Sequence, residues 1–275
     1  MMKRRTLLAG SVAAATVTLP MASHAQRKKD AIVLAMALEP PGLDPTAGAA
    51  SAIAEIVQYN IFETLTKINS DGTVSPLLAE TWEVSPDLKT YTFKLKKGVK
   101  FQNGEAFNAN AVKFSFERAG SEKSTNKDKR TFASMDSVAV VDEYTVVILN
   151  KALDPDFLFL MGQATAIIVE PKSADTNATK PIGTGPFQLD TWSKGSSVSL
   201  KKWPGFRNAV AIKLNRATFR FISDPAAQVA ALLSGDVDAF PRVTPRSVPQ
   251  FKNNPKFQVV VSGSRAKTIL AINNK

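Results

Sequence analysis

The chain has 275 residues, a formal net charge of +11, 44% apolar residues and 21% charged residues. This length suits one large or two modest packed domains, and the composition excludes a disordered tail. Cysteine is absent from the sequence. Disulfides, thiolate metal sites, a cysteine nucleophile and a lipidated N-terminal cysteine are therefore excluded.

The first 25 residues have the pattern of an export signal. Lys3, Arg4 and Arg5 are followed by an apolar stretch over residues 7–21 and by a small-x-small motif at residues 23–25. We predict a signal peptide over residues 1–25, cleaved after Ala25, and a soluble, non-lipidated exported chain. Paired arginines also occur in ordinary secretion signals, so the Sec and twin-arginine routes both stay open.

Loss of the signal peptide removes the single histidine, His24. A chain without Cys and His cannot carry Ser-His-Asp or Cys-His nucleophiles, a histidine general base or an imidazole zinc site. Pro186 directly follows the glycine pair of residues 183–185 and breaks a dinucleotide fingerprint. We expect no catalytic residues, no metal and no cofactor, although composition alone leaves a carboxylate-pair hydrolase open.

The positive charge does not indicate nucleic-acid binding. The cations are spread along the chain, and the basic run over residues 123–130 is too polar for a core element. A nucleic-acid-binding chain typically clusters its cations on one face or interleaves them with aromatic residues. We interpret this run as a solvated loop and expect no nucleic-acid partner.

The first half of the chain shows mixed strand and helix patterns. The apolar run 31–38 predicts a buried strand, and Ser51 is placed to cap the next helix. Tyr91, Phe93 and Leu95 alternate with polar residues, as in a half-buried strand.

Further on, Asn108 stands where a helix cap is expected, and two strands are predicted over residues 137–141 and 144–149. A short apolar helix follows over residues 155–161. Residues 185–192 and 197–201 then form a predicted hairpin that turns at residues 194–195.

The strongest helix pattern comes late. Asp224 is the predicted cap, Pro225 the first helical residue and Gly235 the stop. Three residues are predicted to point inward: Val229, Leu232 and Leu233. Three further elements are predicted after this helix: a strand over 236–240, a helix over 244–252 and a strand over 257–261.

Seven sequence blocks in a fixed order resemble the solute-binding proteins of peptide-type ABC importers, the peptide-, oligopeptide- and nickel-binding family 5. The blocks are residues 42–45, 61–65, 76–82, 91–101, 114–118, 181–187 and 230–238. Glycines in these blocks permit tight backbone geometry, so the blocks look like scaffold. The chain departs from the family at Gln102 and Asn103, where His-Asp is usual, and at Asn110, where Asp is usual. We interpret these changes as surface-turn and helix-cap changes.

The resemblance implies an α/β fold with a mixed α+β subdomain inserted, which is the first lobe of a two-lobed periplasmic-binding-protein-like fold. The implied division is 26–58 with 180–268 for the first-lobe subdomain, 59–179 for the inserted hairpin-rich subdomain, and 269–275 for the start of the hinge strand. About half of a family member would then be missing. A fragment and a truncated gene product both stay open.

The implied function is capture of di- or oligopeptides in the periplasm and their delivery to ABC permease subunits, by a monomer that is not an enzyme. Alternatives are a nickel complex, an opine or an oligosaccharide as solute, or a non-transport binding or chaperone-like module. By resemblance, seven residues in two segments contact the ligand: Gly48, Ala49, Ala50, Ser51, Phe240, Pro241 and Arg242. Each also has a structural interpretation, as loop, core aromatic or exposed arginine.

Overall fold

The computed structural model describes residues 30–252 and 254–260, so the predicted signal peptide and the predicted hinge strand lie outside the described residues. Its strands, in chain order, are β1 (Ala31–Met36), β2 (Thr66–Ile68), β3 (Val74–Pro76), β4 (Ala79–Val84), β5 (Thr90–Leu95), β6 (Met135–Asp142), β7 (Thr145–Asn150), β8 (Phe187–Ser193), β9 (Ser197–Lys202) and β10 (Arg216–Phe221). Its α-helices are α1 (Ser51–Val57), α2 (Ala109–Gly120), α3 (Lys129–Ala133), α4 (Phe157–Leu160), α5 (Pro225–Ser234) and α6 (Val248–Lys252).

Two four-stranded sheets organise these elements. The first has the order β1-β10-β9-β8, in which β1 runs parallel to β10 and the other neighbours are antiparallel. The second is antiparallel, with the order β4-β5-β7-β6, and the short β2-β3 pair stands apart from both. The only parallel pair in the described sheets is therefore β1 with β10, and it lies in the first sheet.

Each large sheet has its own apolar core. The first sheet packs against α1, and this core includes Met36, Ile56 and Phe219. The second sheet packs against α2, and this core includes Phe93, Phe116 and Ile148. The first core also takes in Ile167 and Val169 from the segment predicted to belong to the inserted subdomain, so the two cores interlock along the chain. The domain boundaries given above stay a prediction.

Local sequence signals placed several elements correctly. In β5, Tyr91, Phe93 and Leu95 are buried, as the alternation predicts. The Asn108 side chain accepts hydrogen bonds from the backbone N–H groups of Asn110 and Ala111, at 3.0 and 3.3 Å, and so caps α2. The β8-β9 hairpin turns at residues 194–195, where Gly195 has a φ of +73°.

Helix α5 also begins and ends as predicted. Asp224 accepts a hydrogen bond from the Ala227 N–H at 2.7 Å, and Gly235 ends the helix in the left-handed region. Leu233 is nevertheless 49% exposed, so its predicted inward direction is wrong. The helix buries Gln228 and Val229, and Leu233 lies on the flank of that stripe.

Four other predictions need correction. Ser51 is the first helical residue of α1 and Ala50 occupies the cap position without a side-chain bond, because Ala50 is the last residue with extended backbone. Residues 236–240 form only a bridge from Ala239 to Leu34. The helix predicted over 244–252 shortens to α6, because residues 244–247 form a turn in which the Ser247 N–H donates to the Thr244 carbonyl at 2.9 Å. Residues 257–260 form no strand, and Val261 lies outside the described residues.

A buried carboxylate, that of Glu170, joins the loop at Asn103 to residues 172–173 and makes stability depend on pH. Glu170 is 2% exposed and accepts hydrogen bonds from the N–H groups of Lys172 and Ser173 and from the Asn103 amide. Burial raises the pKa of Glu170, but the hydrogen bonds from Lys172, Ser173 and Asn103 outweigh it, so the pKa lies below its usual value of 4.5.

We therefore expect Glu170→Gln to lower the free energy of unfolding at neutral pH, by an amount that shrinks in acid. The folded-state pKa is depressed, so the stabilisation is present above the ordinary pKa and is lost as the pH falls through the lower folded-state value. Urea unfolding of both proteins between about pH 7 and about pH 3 measures this difference. The exposed Glu117→Gln serves as control, and a Glu170→Gln effect that is constant with pH would contradict the assignment.

Candidate functional site

The carboxyl ends of β1 and β10 define one edge of the first sheet. The two strands are parallel neighbours, so their carboxyl ends meet there. The chain leaves β1 toward α1 and leaves β10 directly into α5. In open sheets with parallel strands, ligands bind in the crevice outside the carboxyl ends of the strands. This edge therefore has the position at which a binding site is expected.

A third segment reaches the same edge from the other side of β1. The Asp238 N–H donates to the Val33 carbonyl at 2.7 Å, and the Ala35 N–H donates to the Ala239 carbonyl at 2.9 Å. Ala239 bridges Leu34 in the parallel sense. Residues 240–242 therefore emerge beside the carboxyl end of β1.

One cavity at this edge lies between α1 and α5, and we call it the α1–α5 cavity. Its volume is about 120 Å³. It is lined by Ala37, Leu38, Ser51, Ala52, Glu55, Ser223, Pro225, Gln228, Pro241 and Arg242. The lining mixes hydroxyl, amide and apolar groups with one carboxylate and one guanidinium, as in sites that bind small polar solutes.

A second cavity adjoins the first, and we call it the Phe240 cavity. Its volume is about 370 Å³. It is lined by Leu34, Ala35, Met36, Glu55, Phe219, Ala239, Phe240, Pro241 and Arg242. Apart from Glu55 and Arg242, these residues are apolar, so this cavity suits an apolar group.

An ion pair connects the two cavities. The Arg242 Nη2 atom lies 2.6 Å from the Glu55 Oε1 atom. The Arg242 side chain is 76% exposed and that of Glu55 is 32% exposed. Both residues line both cavities, so the pair lies where they meet.

The structure brings together four of the seven predicted ligand residues. Ser51, Pro241 and Arg242 line the α1–α5 cavity, and Phe240 lines the Phe240 cavity with Pro241 and Arg242. Gly48, Ala49 and Ala50 line neither cavity. A Cβ atom on Gly48 would lie 2.6 Å from Ile53 Cδ1, so the loop at Gly48 packs closely against this side chain of α1. The ligand role of all seven residues stays a prediction.

Sequence reasoning missed other lining residues. Leu38 and Ser223 follow the ends of β1 and β10. The carboxyl-end rule could not find them from the sequence, because the strand predicted over 31–38 includes Leu38 and no strand was predicted where β10 lies. Glu55 and Gln228 lie inside α1 and α5, and the sequence around them has no motif that would indicate a binding site.

The segment that carries Leu38 is held in place by the turn between β8 and β9, which lies beside the carboxyl end of β10 because Arg220 pairs with Ser197. The Trp192 indole N–H donates to one Glu39 oxygen at 2.9 Å, and the Gly195 N–H donates to the other at 2.9 Å. The Lys194 ammonium lies 3.0 Å from the Trp192 ring centre. Trp192 therefore has a structural role in positioning the segment that follows β1.

The described helices include none that is both long and apolar enough to cross a membrane.

The sequence model of the bacterial extracellular solute-binding proteins, family 5 Middle, matches residues 73–275. The match covers well over half of the chain. The chain belongs to the family 5 bacterial extracellular solute-binding proteins. This is the family indicated by the seven sequence blocks, and the recognition is confirmed. It is a family of transporter binding proteins.

Relatives of known name are similar over the whole chain. The glutathione-binding proteins GsiB of Escherichia coli (strain K12) and Shigella dysenteriae serotype 1 are each 29% identical in an alignment of 277 positions, which covers 99% of this chain and 54% of theirs. The chain therefore spans about half the length of these curated relatives.

Solved structures confirm the predicted fold class. The nickel ABC transporter protein of Bacillus halodurans is 31% identical with a TM-score of 0.72, over 82% of this chain and 46% of that one. The binding protein AgaA of A. tumefaciens R10, solved with agropinic acid, is 28% identical with a TM-score of 0.77, over 82% and 46%. DppA of Helicobacter pylori, solved with the peptide STSA, is 25% identical with a TM-score of 0.73, over 82% and 49%. The chain has the mixed α/β fold of one part of these binding proteins.

Proposed function

We propose that this chain supplies the first-lobe half of the solute site of an exported ABC-importer receptor, which captures a peptide or peptide-like solute in the periplasm and delivers it to membrane permease subunits. The observation that carries the proposal is the meeting of Ser51 with residues 240–242 at the carboxyl ends of β1 and β10. These segments are far apart in the sequence, and the family resemblance alone assigns both of them to the ligand.

The names of the relatives support a peptide-like solute. GsiB is named for glutathione, a modified tripeptide, and DppA was solved with a four-residue peptide. Other similar structures were solved with agropinic acid or with a nickel–histidine complex, so an opine and a nickel complex are the alternatives to test beside peptides. The mixed polar and apolar lining of the two cavities suits a peptide, which carries both kinds of group.

In the proposed cycle, the two lobes of a complete receptor would close about a hinge onto the solute. The ordered contacts of a closed cleft would then hold it until the closed form docks on the permease. One lobe alone contributes only part of these contacts, so we expect the isolated chain to bind weakly, with a Kd of about a millimolar.

The test is an NMR titration of the purified, isotope-labelled chain with glutathione, a tetrapeptide, a nickel–histidine complex and agropinic acid. We expect glutathione or the peptide to shift the amide signals of Ser51, Glu55 and Arg242. Shifts of the amide signals of Gly48, Ala49 and Ala50 with the same solute would show that their loop also contacts it. If no solute shifts these signals, the proposed function is wrong, and shifts with the nickel complex or the opine alone would move the solute to that class.

A further inference from the structure

A separate cavity, which we call the Arg118 cavity, shares no lining residue with the two cavities of the candidate site. Its volume is about 230 Å³. Cavities that hold drug-sized molecules usually measure ~300–1,000 Å³, so this one suits a smaller ligand. The loop after β1, the end of α2, the basic loop that follows α2 and the turn before residue 177 supply its lining: Thr46, Ala47, Arg118, Ser121, Lys123, Ser124, Thr125 and Asp175.

The lining of the Arg118 cavity is polar. Apart from Ala47, every lining residue carries a hydroxyl group or a charge. An apolar ligand group would find almost no surface to pack against. A ligand of this cavity is therefore bound by hydrogen bonds and by charge.

The guanidinium of Arg118 is held in place before any ligand arrives. Its side chain is 27% exposed, and the buried Asp44 carboxylate lies 3.6 Å from its Nη2 atom. Nη1 donates to the Thr46 hydroxyl at 2.8 Å, and Nη2 donates to the Ala174 carbonyl at 3.4 Å. A guanidinium has five N–H donors, so these two hydrogen bonds leave others for a ligand. A side chain that is already fixed loses little conformational entropy on binding.

The basic loop after α2 adds two further donors. Lys123 is exposed and forms no ion pair within the described part of the chain. The Ser124 hydroxyl accepts a hydrogen bond from the Asn126 N–H at 3.2 Å, which leaves its own proton for a ligand. The Thr125 hydroxyl donates to the Ala47 carbonyl at 3.2 Å and so ties this loop to the segment after β1. An ammonium and a hydroxyl therefore stand beside the guanidinium.

The carboxylate in this lining is weakly held. Asp175 Oδ1 lies 3.9 Å from Arg118 Nη2, and the Asp175 side chain is 99% exposed. Exposed ion pairs of this kind contribute little to stability. Arg118 and Lys123 carry two positive charges against the two negative charges of Asp44 and Asp175. An anion that takes the place of the Asp175 carboxylate keeps this balance.

The three donors suit a tetrahedral anion better than a planar one. A carboxylate presents two oxygens in one plane, whereas a phosphate group presents oxygens in several directions. Arginine and lysine are the usual partners of phosphate in proteins. We propose that the Arg118 cavity binds a phosphate group through Arg118, Lys123 and the Ser124 hydroxyl, and that this group displaces the Asp175 carboxylate. Inorganic phosphate and a phospholipid headgroup share this chemistry.

The test is an NMR titration of the isotope-labelled full chain with inorganic phosphate, at constant pH and ionic strength. Acetate and chloride are the comparison anions. We expect phosphate to shift the amide signals of residues 121–125 with a Kd of about a millimolar. Acetate should bind at least fivefold more weakly, and chloride should cause no saturable shift. Equal shifts with all three anions would mean an adventitious ion only, and the proposal would be wrong.

Four variants test the assigned contacts. Lys123→Gln and Ser124→Ala each remove one donor and should weaken phosphate binding about fivefold, as expected for one lost hydrogen bond. Asp175→Asn should strengthen it about threefold, because the competing carboxylate is gone. Arg130→Gln is the matched control, since Arg130 is exposed on the same basic run and does not line the cavity, and it should change nothing.

Two results would contradict the proposal. If Arg130→Gln weakens binding as much as Lys123→Gln, the overall charge of the loop attracts phosphate and the cavity does not bind it. If Ser124→Ala and Asp175→Asn both leave the Kd unchanged, phosphate does not enter the cavity. Circular dichroism melting of each variant, with Tm unchanged, excludes unfolding as the cause. Either failure leaves the proposed function standing, because the two sites share no residue.

Sedimentation with vesicles identifies the source of the phosphate. The vesicles are made of phosphatidylcholine with or without phosphatidylglycerol. Binding only to vesicles with phosphatidylglycerol, lost in Lys123→Gln and Ser124→Ala but kept in Arg130→Gln, would assign the cavity to a lipid headgroup. No binding to either kind of vesicle, together with saturable binding of inorganic phosphate, would assign it to the free anion.

Discussion

Replacing Arg207 by methionine is expected to lower the free energy of unfolding by about 3 kcal/mol, at the lower end of the cost of breaking a buried ion pair. Glu63 is 3% exposed, and Arg207 binds it through two nitrogens, at 2.6 and 2.7 Å. The Thr184 hydroxyl donates to the same carboxylate at 2.9 Å. Methionine keeps the apolar stem of the side chain but leaves Glu63 buried without its cation. Because Arg207 is itself 24% exposed, water can approach and the expected loss stays at the lower end of the range.

Urea unfolding at neutral pH measures this loss, and Arg216→Met is the matched control. Arg216 forms an equally short contact with Asp190, 2.6 Å, but its side chain is 50% exposed. The same substitution there should cost about 1 kcal/mol or less. Equal losses for the two variants would show that burial of the carboxylate partner does not determine the loss of stability.

A double variant decides whether the loss comes from the charge or from packing. Glu63→Gln removes the negative charge and keeps a side chain of the same size. In the Arg207→Met background it should recover part of the lost stability, because no uncompensated charge remains buried. If the double variant is no more stable than Arg207→Met alone, the loss comes from packing and the electrostatic explanation fails.

Local chemistry explains which parts of the fold could be predicted from the sequence. Asn108, Gly195 and Asp224 act on the backbone within a few residues of themselves. The sequence around each of them was therefore sufficient to predict the helix cap or turn that it forms. The strand predicted over 236–240 depends on pairing with β1, about 200 residues earlier in the chain, and forms only one bridge. The periodicity of a short sequence segment carries no information about which distant strand it will pair with.

The candidate site depends even more than the fold on contacts between residues that are distant in the sequence. Residues 240–242 and Ser51 could be assigned because the family resemblance points to them. Glu55 has no such signal: its partner Arg242 is 187 residues away, and their meeting depends on how α1 and the segment after Ala239 pack on β1. The same holds for Glu63 and Arg207, which are 144 residues apart. Contacts at this separation follow from the tertiary fold.

The largest steric effect is expected from Gly183→Ala. A Cβ atom at this position would lie 2.0 Å from the Ile61 carbonyl oxygen and 2.7 Å from the Ile61 carbonyl carbon. Both atoms belong to the backbone, so no side-chain rotation relieves the clash. We expect a loss of more than about 3 kcal/mol, beyond the usual cost of overpacking, and a fall in Tm of roughly 6–12 °C.

Gly42→Ala is the matched control, since its Cβ atom would have nearest neighbours at 3.6 Å, in ordinary contact. We expect its Tm to change by no more than about 4 °C. Thermal unfolding followed by circular dichroism compares the two, and similar shifts would contradict the close approach at Gly183.

Gly183 and Arg207 stabilise the same contact between two segments of the chain. Thr184, the neighbour of Gly183, donates to the Glu63 carboxylate that Arg207 also binds. Combining Gly183→Ala with Arg207→Met should therefore cost less than the sum of the two single losses, because the first substitution already separates the segments that the ion pair joins.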